Sequence, residues 1–332
     1  MKLVIRADGG PEIGYGHLVR SGALAGALLS QGHDVTYATT TPEHVNEVCP
    51  NGVETASLPS RDNPEPFVEW LEKTQPDAVF TDSYPVDTEY QRATRDRTTL
   101  AVLQDDDRHA VCADIFTNGN IHATDMDYEY HGSPPEVYLG PEYVLLREEI
   151  TTQMAEQPPW RDVPQYVLVT MGGSDIEKRT PHVIRALDNQ DVHVDAIVGP
   201  GFSEAQEQTV RDVADDVTTT VSVVRDPEDL PERMYRADFA ITTASSTIYE
   251  LLGLGTPIIC LPVAPNQEQI TDALRERDLA TVLDPDADTV TFKTAIAEYM
   301  TSPERRRERR SRGRTLVDGR GAARVADVIS AN

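Results

Sequence analysis

The sequence predicts an α/β protein of two successive doubly wound parallel sheets. Three observations predict it. The chain has 332 residues, about two domains' worth, since a single core stops growing at roughly 250–300 residues. Short apolar runs alternate with amphipathic segments, the pattern of strands joined through crossover helices into a parallel sheet. The alternation breaks once, at Thr151–Val163 (TTQMAEQPPWRDV), where prolines and polar residues read as a linker, and then restarts. The expected domains are 1–155 and 156–332.

Lys2–Arg6 reads as a buried strand and Leu18–Ser30 as a helix, with Leu18, Ala25, Leu28 and Leu29 at helical spacings. Val35–Ala38, Ala78–Thr81 and Leu100–Leu103 read as further strands, the last two separated by a helix near Thr88–Arg95. Past the linker, strands are expected at Tyr166–Thr170, His193–Val198, Phe239–Thr242 and Pro257–Leu261. Helices are expected at Pro181–Leu187, Glu204–Ala214, Glu232–Tyr235, Ile248–Leu254 and Gln267–Arg277, with a helical tail from Phe292. Two such sheets make a pair of Rossmann-like domains. Ligands in these folds sit at the carboxyl ends of strands, and an interdomain cleft is the natural place for one.

The chain carries 56 acidic against 30 basic residues, a net charge of −26, and its only lysines are Lys2, Lys73, Lys178 and Lys293. A diffuse acidic excess keeps a protein soluble but repels itself, and salt screens that repulsion. The composition reads as that of a halophilic protein from a salt-rich cytoplasm. It excludes nucleic acid as a partner, because nucleic acid needs a basic footprint. The arginine run Glu304–Arg314 is the exception and reads as a solvated helix face. No apolar run reaches the roughly 18 residues of a membrane span, and the start MKLVIRADGG enters a strand with no signal-peptide pattern. Cys49, Cys112 and Cys260 are far apart, with no CxxC, which argues against a disulfide framework or a zinc site. A cytoplasmic, reducing setting fits, as does a monomer or weak dimer.

Several segments could carry chemistry, each at the carboxyl end of an expected strand. Arg6-Ala7-Asp8 leads into Gly14-Tyr15-Gly16-His17 and Arg20, a strand, glycine loop and helix start. Glycines let backbone approach a phosphate or sugar, and helix N–H groups bind anions. Val19 stands where a GxGxxG fingerprint needs its third glycine, so a nicotinamide dinucleotide is a weak reading. His17 could take a proton from water, or it could cap the helix or fill a polar gap. Gly172-Gly173 after a strand suits a diphosphate or a plain turn. Ser245-Ser246 can bind phosphate oxygens, with Glu250 one turn deeper for a ribose; alternatively Thr247-x-x-Glu250 is a formal capping box. Asn266-Gln267 can orient a substrate or open a helix. Asp82-Ser83-Tyr84 and Asp105-Asp106-Asp107 complete the set; three adjacent carboxylates suggest metal or electrostatic work or a solvated loop, the loop being the reading for Asp107, and no ligand spacing supports zinc.

Taken together, Arg6-x-Asp8, Ile13-Gly14-Tyr15-Gly16-His17-x-x-Arg20, Asp82-x-Tyr84, Asp105-Asp106, Gly140-x-x-Tyr143-x-Leu145-Leu146-Arg147-x-Glu149, Met171-Gly172-Gly173-x-Asp175, Ser245-Ser246-x-x-x-Glu250 and Asn266-Gln267 occur in an order that resembles the PseG family. These are hydrolases of a UDP-linked diacetamido-trideoxyhexose in pseudaminic acid synthesis, with relatives carrying the spore-coat polysaccharide label SpsG. The resemblance runs from Lys2 to about Asp278 and extends to MurG-type glycosyltransferases of GT-B fold. In that architecture the last helix commonly packs back on the first domain.

The resemblance implies that His17 activates water, that Tyr84 and Asn266 contact the sugar or its leaving group, and that UDP leaves by C–O cleavage. It assigns Gly172, Gly173, Ser245 and Ser246 to the diphosphate and Glu250 to the ribose. Gly14, Gly16, Arg20, Arg147 and Gln267 join the substrate-binding set, with Arg20 or Arg147 supplying charge to the diphosphate. It implies no metal and no cofactor. Asp82-Ser83-Tyr84 departs from the family's Asp-His-Tyr at Ser83. The alternative on the same scaffold is a GT-B glycosyltransferase using a UDP-sugar donor for a surface polysaccharide or glycoprotein glycan; no acceptor-binding apolar or basic patch is evident near Gly9–His17.

Overall fold

A computed structural model describes residues 1–332 except Pro11, Glu12 and the side chain of Asn266. The chain divides into two compact units, Met1–Glu148 with Gly319–Asn332, and Glu149–Asp318. The sequence places the boundary at 155, inside the linker. The chain crosses earlier because the linker's first half is helical.

The first unit holds β1 (Lys2–Ala7), α1 (Gly16–Ser30), β2 (Asp34–Thr39), α2 (Pro42–Val48), β3 (Glu54–Ser57), α3 (Glu65–Thr74), β4 (Ala78–Asp82), α4 (Thr88–Arg95), β5 (Thr99–Leu103), β6 (Ile115–Asn118) and β7 (Glu136–Leu139). All strand pairs are parallel, in the order β3-β2-β1-β4-β5-β6-β7. The order reverses between β1 and β4, the switch point where crevices open in doubly wound sheets. Strand β1 is covered on both faces, so it reads as an unbroken apolar run. Leu3 and Ile5 pack toward Leu24 and Leu28 of α1. Val4 packs on the other face toward Phe67, Leu71 and Tyr90.

The second unit begins with α5 (Glu148–Met154) and continues through β8 (Tyr166–Thr170), α6 (Thr180–Ala186), β9 (His193–Val198), α7 (Glu204–Asp216), β10 (Thr220–Arg225), α8 (Leu230–Arg236), β11 (Phe239–Thr243), α9 (Thr247–Leu254), β12 (Ile258–Leu261), α10 (Glu268–Glu276), β13 (Ala280–Val282), α11 (Thr289–Thr301) and α12 (Pro303–Leu316). Its sheet is again all parallel, ordered β10-β9-β8-β11-β12-β13. Two doubly wound sheets are the predicted fold class. The strands β3, β6, β7, β10 and β13 were not legible in the sequence. Edge strand β3 (ETAS) is largely exposed and polar, and edge strand β10 (TVSVVR) is only half-buried with a serine inside it, so neither carries the continuous apolar run that marks a central strand.

Helix α12 departs from expectation. Arg307 and Arg312 are exposed, as a solvated face requires, but other arginines of the same helix are not. Arg306 is fully buried and Arg309 is 3% exposed. Arg306 donates to the carbonyls of Arg161 and Asp162 at 3.0 and 2.6 Å. Arg310 donates to Pro158, Pro159 and Gly255, and Arg314 to Met154, Leu254 and Glu156. The guanidiniums of Arg306, Arg307 and Arg310 lie about the Trp160 ring at 4.8–4.9 Å. The linker backbone, which has no sheet or helix partner, takes its hydrogen bonds from these side chains. Arg310 is pushed down to about 10 by its burial.

The final helix, α13 (Gly321–Ala331), belongs to the first unit. Val325, Ala326 and Ile329 join the core built by β1 and α1. Its start sits so close to the 143–144 backbone that a Cβ at Gly321 would lie 2.1 Å from the Val144 carbonyl oxygen. Backbone cannot yield as a side chain can. Gly321→Ala is therefore expected to destabilise the protein by about 1–3 kcal/mol. Gly26→Ala in α1, where a Cβ meets only Pro50 at 3.9 Å, should be neutral or stabilising. Urea unfolding of the two variants tests this. No helix among the described residues is long and apolar enough to cross a membrane.

Candidate active site

In the first unit the site forms where β1 and β4 end. Arg6 and Asp8, leaving β1, are almost wholly buried and joined at 2.7 Å. Arg6 also donates to the Tyr90 hydroxyl and the Arg61 carbonyl. Asp8 accepts from Thr40 N–H and from the Thr39 and Thr40 hydroxyls. Burial would raise the Asp8 carboxyl, but the Arg6 charge and these bonds hold it below its ordinary value. The pair therefore ties the turn after β2 to the glycine loop and contacts no open face. Gly10 and Gly14 exchange backbone hydrogen bonds, and Gly14 has φ +89°, a conformation that favours glycine. Gly14 and Gly16 both have open space where a Cβ would stand. Among the described residues helix α1, starting at Gly16, has no side-chain cap hydrogen bond at Tyr15 and no acidic residue in its first turn, a helix start of the kind that suits an anion.

His17, on that first turn, is 8% exposed. Its Nδ1 lies 2.7 Å from Asp82 Oδ1. Burial would raise the Asp82 carboxyl, but Arg20 and His17, by charge and hydrogen bonds, pull it down to about 2. An ionised carboxylate only accepts, so Nδ1 carries the proton and donates it to Asp82. Arg20 Nη2, 3.1 Å from Nδ1, donates to the same oxygen at 2.6 Å. With Nδ1 turned to Asp82, it is Nε2 that can carry a lone pair, the arrangement a general base requires.

Arg20 is tied to the same carboxylate. Nε and Nη2 both bond to Asp82 at 2.6 Å, and Nη1 bonds to Asp105 at 2.9 Å. Two carboxylates hold its guanidinium, which orders this part of the site. Asp105 also accepts from the Tyr84 hydroxyl at 3.3 Å and from Asn120 at 2.9 Å. Tyr84 meets His17 edge to face, ring centroids 4.7 Å apart and planes at 85°. Burial and the Asp105 charge push the Tyr84 phenol up to about 12, so it keeps its proton. Ser83, the departure from the family pattern, has a buried hydroxyl with no partner. Asp107 is exposed, as the loop reading expects. Arg147 follows the buried Leu145 and Leu146 and is half-buried.

The second unit repeats the geometry at its own switch point, where β8 and β11 end. Gly172 has φ +77°, and Gly173 has nothing within 4 Å of its missing Cβ. The Gly173 carbonyl accepts from Gly201 N–H at 2.9 Å. Asp175 caps α6 by accepting from the N–H groups of Arg179 and Thr180. Helix α9 is capped at Ser246 with no side-chain cap bond, and Thr247 is already helical, so the capping box does not form. The Ser245 hydroxyl is buried with no partner among the described residues, and Ser246 is exposed. Glu250 is 9% exposed on the same helix. Gln267 is structural on its oxygen side, where Oε1 accepts from the Thr243 hydroxyl and Val263 N–H at 3.1 and 2.8 Å. Asn266 stands in a 3-10 turn, Pro265–Gln267, and its side chain lies outside the described residues. No group of three or more His, Cys, Asp or Glu among the described residues is disposed to hold a metal.

In the sequence pattern Asp82 carries no role of its own, and Asp105 only the general one of a carboxylate run. Their signal was a carboxylate at the end of each of two neighbouring strands. Arg108, whose guanidinium lies 4.0 Å from the Tyr84 ring centroid, gave no signal at all.

No family model matches the chain. It is 23% identical over 296 residues to an uncharacterized protein of Methanocaldococcus jannaschii, covering 86% of this chain but only 60% of that protein. It is 24% identical over 344 residues to the spore coat polysaccharide biosynthesis protein SpsG of Bacillus subtilis, covering 99% and 98% of the two chains. A third relative is the UDP-2,4-diacetamido-2,4,6-trideoxy-beta-L-altropyranose hydrolase of Campylobacter jejuni, 24% identical over 283 residues, 83% of this chain and 97% of that one. Among solved structures, MurG of Acinetobacter baumannii matches with a TM-score of 0.73 at 15% identity, covering 100% of this chain and 99% of that one. The fold is thus the two-domain, Rossmann-like GT-B fold, and the sequence is similar along most of its length to SpsG and to the Campylobacter hydrolase.

Proposed function

We propose that the protein hydrolyses a UDP-linked 2,4-diacetamido-2,4,6-trideoxyhexose to the free sugar and UDP, in the manner named for its Campylobacter relative. The observation that carries this reading is the hydrogen bond from His17 Nδ1 to Asp82, which leaves Nε2 as a base at the end of β1. A sugar nucleotide already has a good leaving group, so the protein must place water, accept its proton and stabilise the departing charge. In this mechanism water attacks the anomeric carbon and gives its proton to Nε2. The C–O bond breaks, and its electron pair leaves with the diphosphate oxygen of UDP. The imidazolium so formed sits against the Asp82 carboxylate. Tyr84 and Asn266 are assigned to the sugar or the leaving oxygen. The start of α1 with Gly14 and Gly16, and in the second unit Gly172, Gly173, Ser245 and Ser246, are assigned to the phosphates. Glu250 is assigned to the ribose. Arg147 completes the substrate set, while Arg20 and Gln267 serve it by ordering their neighbours.

Incubation with the UDP-sugar in ¹⁸O-water and multimolar potassium chloride tests the reading. Label is expected in the free sugar, and His17→Ala should lose about 10²–10⁴-fold in turnover, the usual worth of a general base. Label in the phosphate would overturn C–O cleavage. Turnover only with an added acceptor would favour the transferase, a reading supported by the likeness to a polysaccharide biosynthesis protein over 99% of the chain.

A further inference from the structure

Tyr84 is 39% exposed, yet it faces the proposed base. A ring that open would sample several rotamers unless something held it. Asp105 takes its hydroxyl, but at 3.3 Å that bond is long. The outer face of the ring is covered by Arg108, its guanidinium carbon 4.0 Å from the centroid. We propose that Arg108, clamped by Asp106, is a positioning residue that holds the Tyr84 ring against His17.

The clamp is built rather than incidental. Arg108 Nε donates to both Asp106 oxygens at 2.8 and 3.0 Å, and Nη2 donates to Oδ2 at 2.5 Å, which fixes the plane of the guanidinium. The next residue reaches the same target, with His109 Nε2 donating to the Tyr84 carbonyl at 3.1 Å. Segment 108–109 thus grips both the ring and the backbone of Tyr84. Arg20 cannot share this task, because Asp82 and Asp105 hold its guanidinium. The adjacent acids after β5 divide the work: Asp105 takes the hydroxyl end of Tyr84, and Asp106 holds the cation over its face. An exposed Asp–Arg pair alone contributes little; the contact with an aromatic face gives it consequence, and a planar guanidinium suits that face better than an ammonium does.

The catalytic consequence rests on the hydrolase reading, but the geometry does not, so the first readout uses no substrate. In full-length protein with ¹³C-labelled histidine, Tyr84 displaces the His17 ring resonances by its ring current, and Tyr84→Ala sets the undisplaced position. Arg108→Ala and Arg108→Lys should both move the His17 resonances toward that position. Arg108→Lys keeps the charge and loses the stack, so it should fail to restore them. In turnover, both should lower kcat rather than raise KM, by roughly two- to fivefold, the bias an exposed cation–π contact exerts on one rotamer. His17 resonances unmoved in Arg108→Ala, or fully restored by Arg108→Lys, would overturn the proposal. Displaced resonances with no turnover by any form of the protein would sustain the positioning role and remove the hydrolase reading instead.

Discussion

Asp82→Asn is expected to lower turnover of the UDP-sugar by about 10³–10⁴-fold, with little change in KM, because it reverses the His17 tautomer. Asp82 is buried, ionised and accepts from Nδ1. An asparagine amide presents an N–H₂ to the same nitrogen, which then accepts and moves the ring proton to Nε2. The base is lost although the imidazole stays in place. Histidine ¹⁵N shifts read this directly, as a change from the Nδ1–H to the Nε2–H form. A variant within tenfold of wild type, or one whose tautomer does not change, would mean that Asp82 does not set the base. The same residue carries a pH signature. Its folded-state value is pulled down to about 2, so it contributes stability above the ordinary carboxylate range, and this is lost as pH falls through about 2. The wild-type stability margin over Asp82→Asn should therefore shrink on acidification from pH near 5.

Arg306→Ala is expected to destabilise the second unit by about 2–4 kcal/mol, since it removes two hydrogen bonds from a charged donor and strands two carbonyls. Arg306 is fully buried beneath the linker, bonded to Arg161 and Asp162 oxygens and lying 4.9 Å from the Trp160 centroid. Its neighbour Arg307 is an internal control. Arg307 pairs with the exposed Asp162 carboxylate on the open side of the same helix, and its removal should cost at most about 1 kcal/mol. Urea unfolding at fixed potassium chloride separates the two. Equal effects would return the helix to the solvated face that its composition suggests.

That helix shows where composition misleads. ERRRERRSRGR has no apolar stripe, so a helical reading puts every arginine in water. Guanidiniums are weakly hydrated and carry donors in a rigid fork, so they can be buried wherever carbonyls lack partners. The linker supplies those carbonyls, and only the fold brings them within reach. The arginine at position 20 teaches the reverse. Its place beside a glycine loop suggests an anion ligand, and only the fold shows that the carboxylates of Asp82 and Asp105, 62 and 85 residues away in the chain, hold it.

By itself the sequence determined the α/β class, the two doubly wound halves and most of the central strands, because buried parallel strands are apolar on both faces and announce themselves locally; β6 escaped because its four residues end in Thr117 and Asn118. It also placed the glycine loops and His17 at strand ends, since those depend on residues adjacent in the chain. The edge strands, the return of α13 to the first unit and the linker's partners were decided by tertiary structure. So was the chemistry of His17: Asp82, Tyr84 and Arg20 come from different elements, and which nitrogen keeps its proton depends on which of them it touches. A sequence names candidate groups, but the distances that set their protonation arise only when the strands lie side by side.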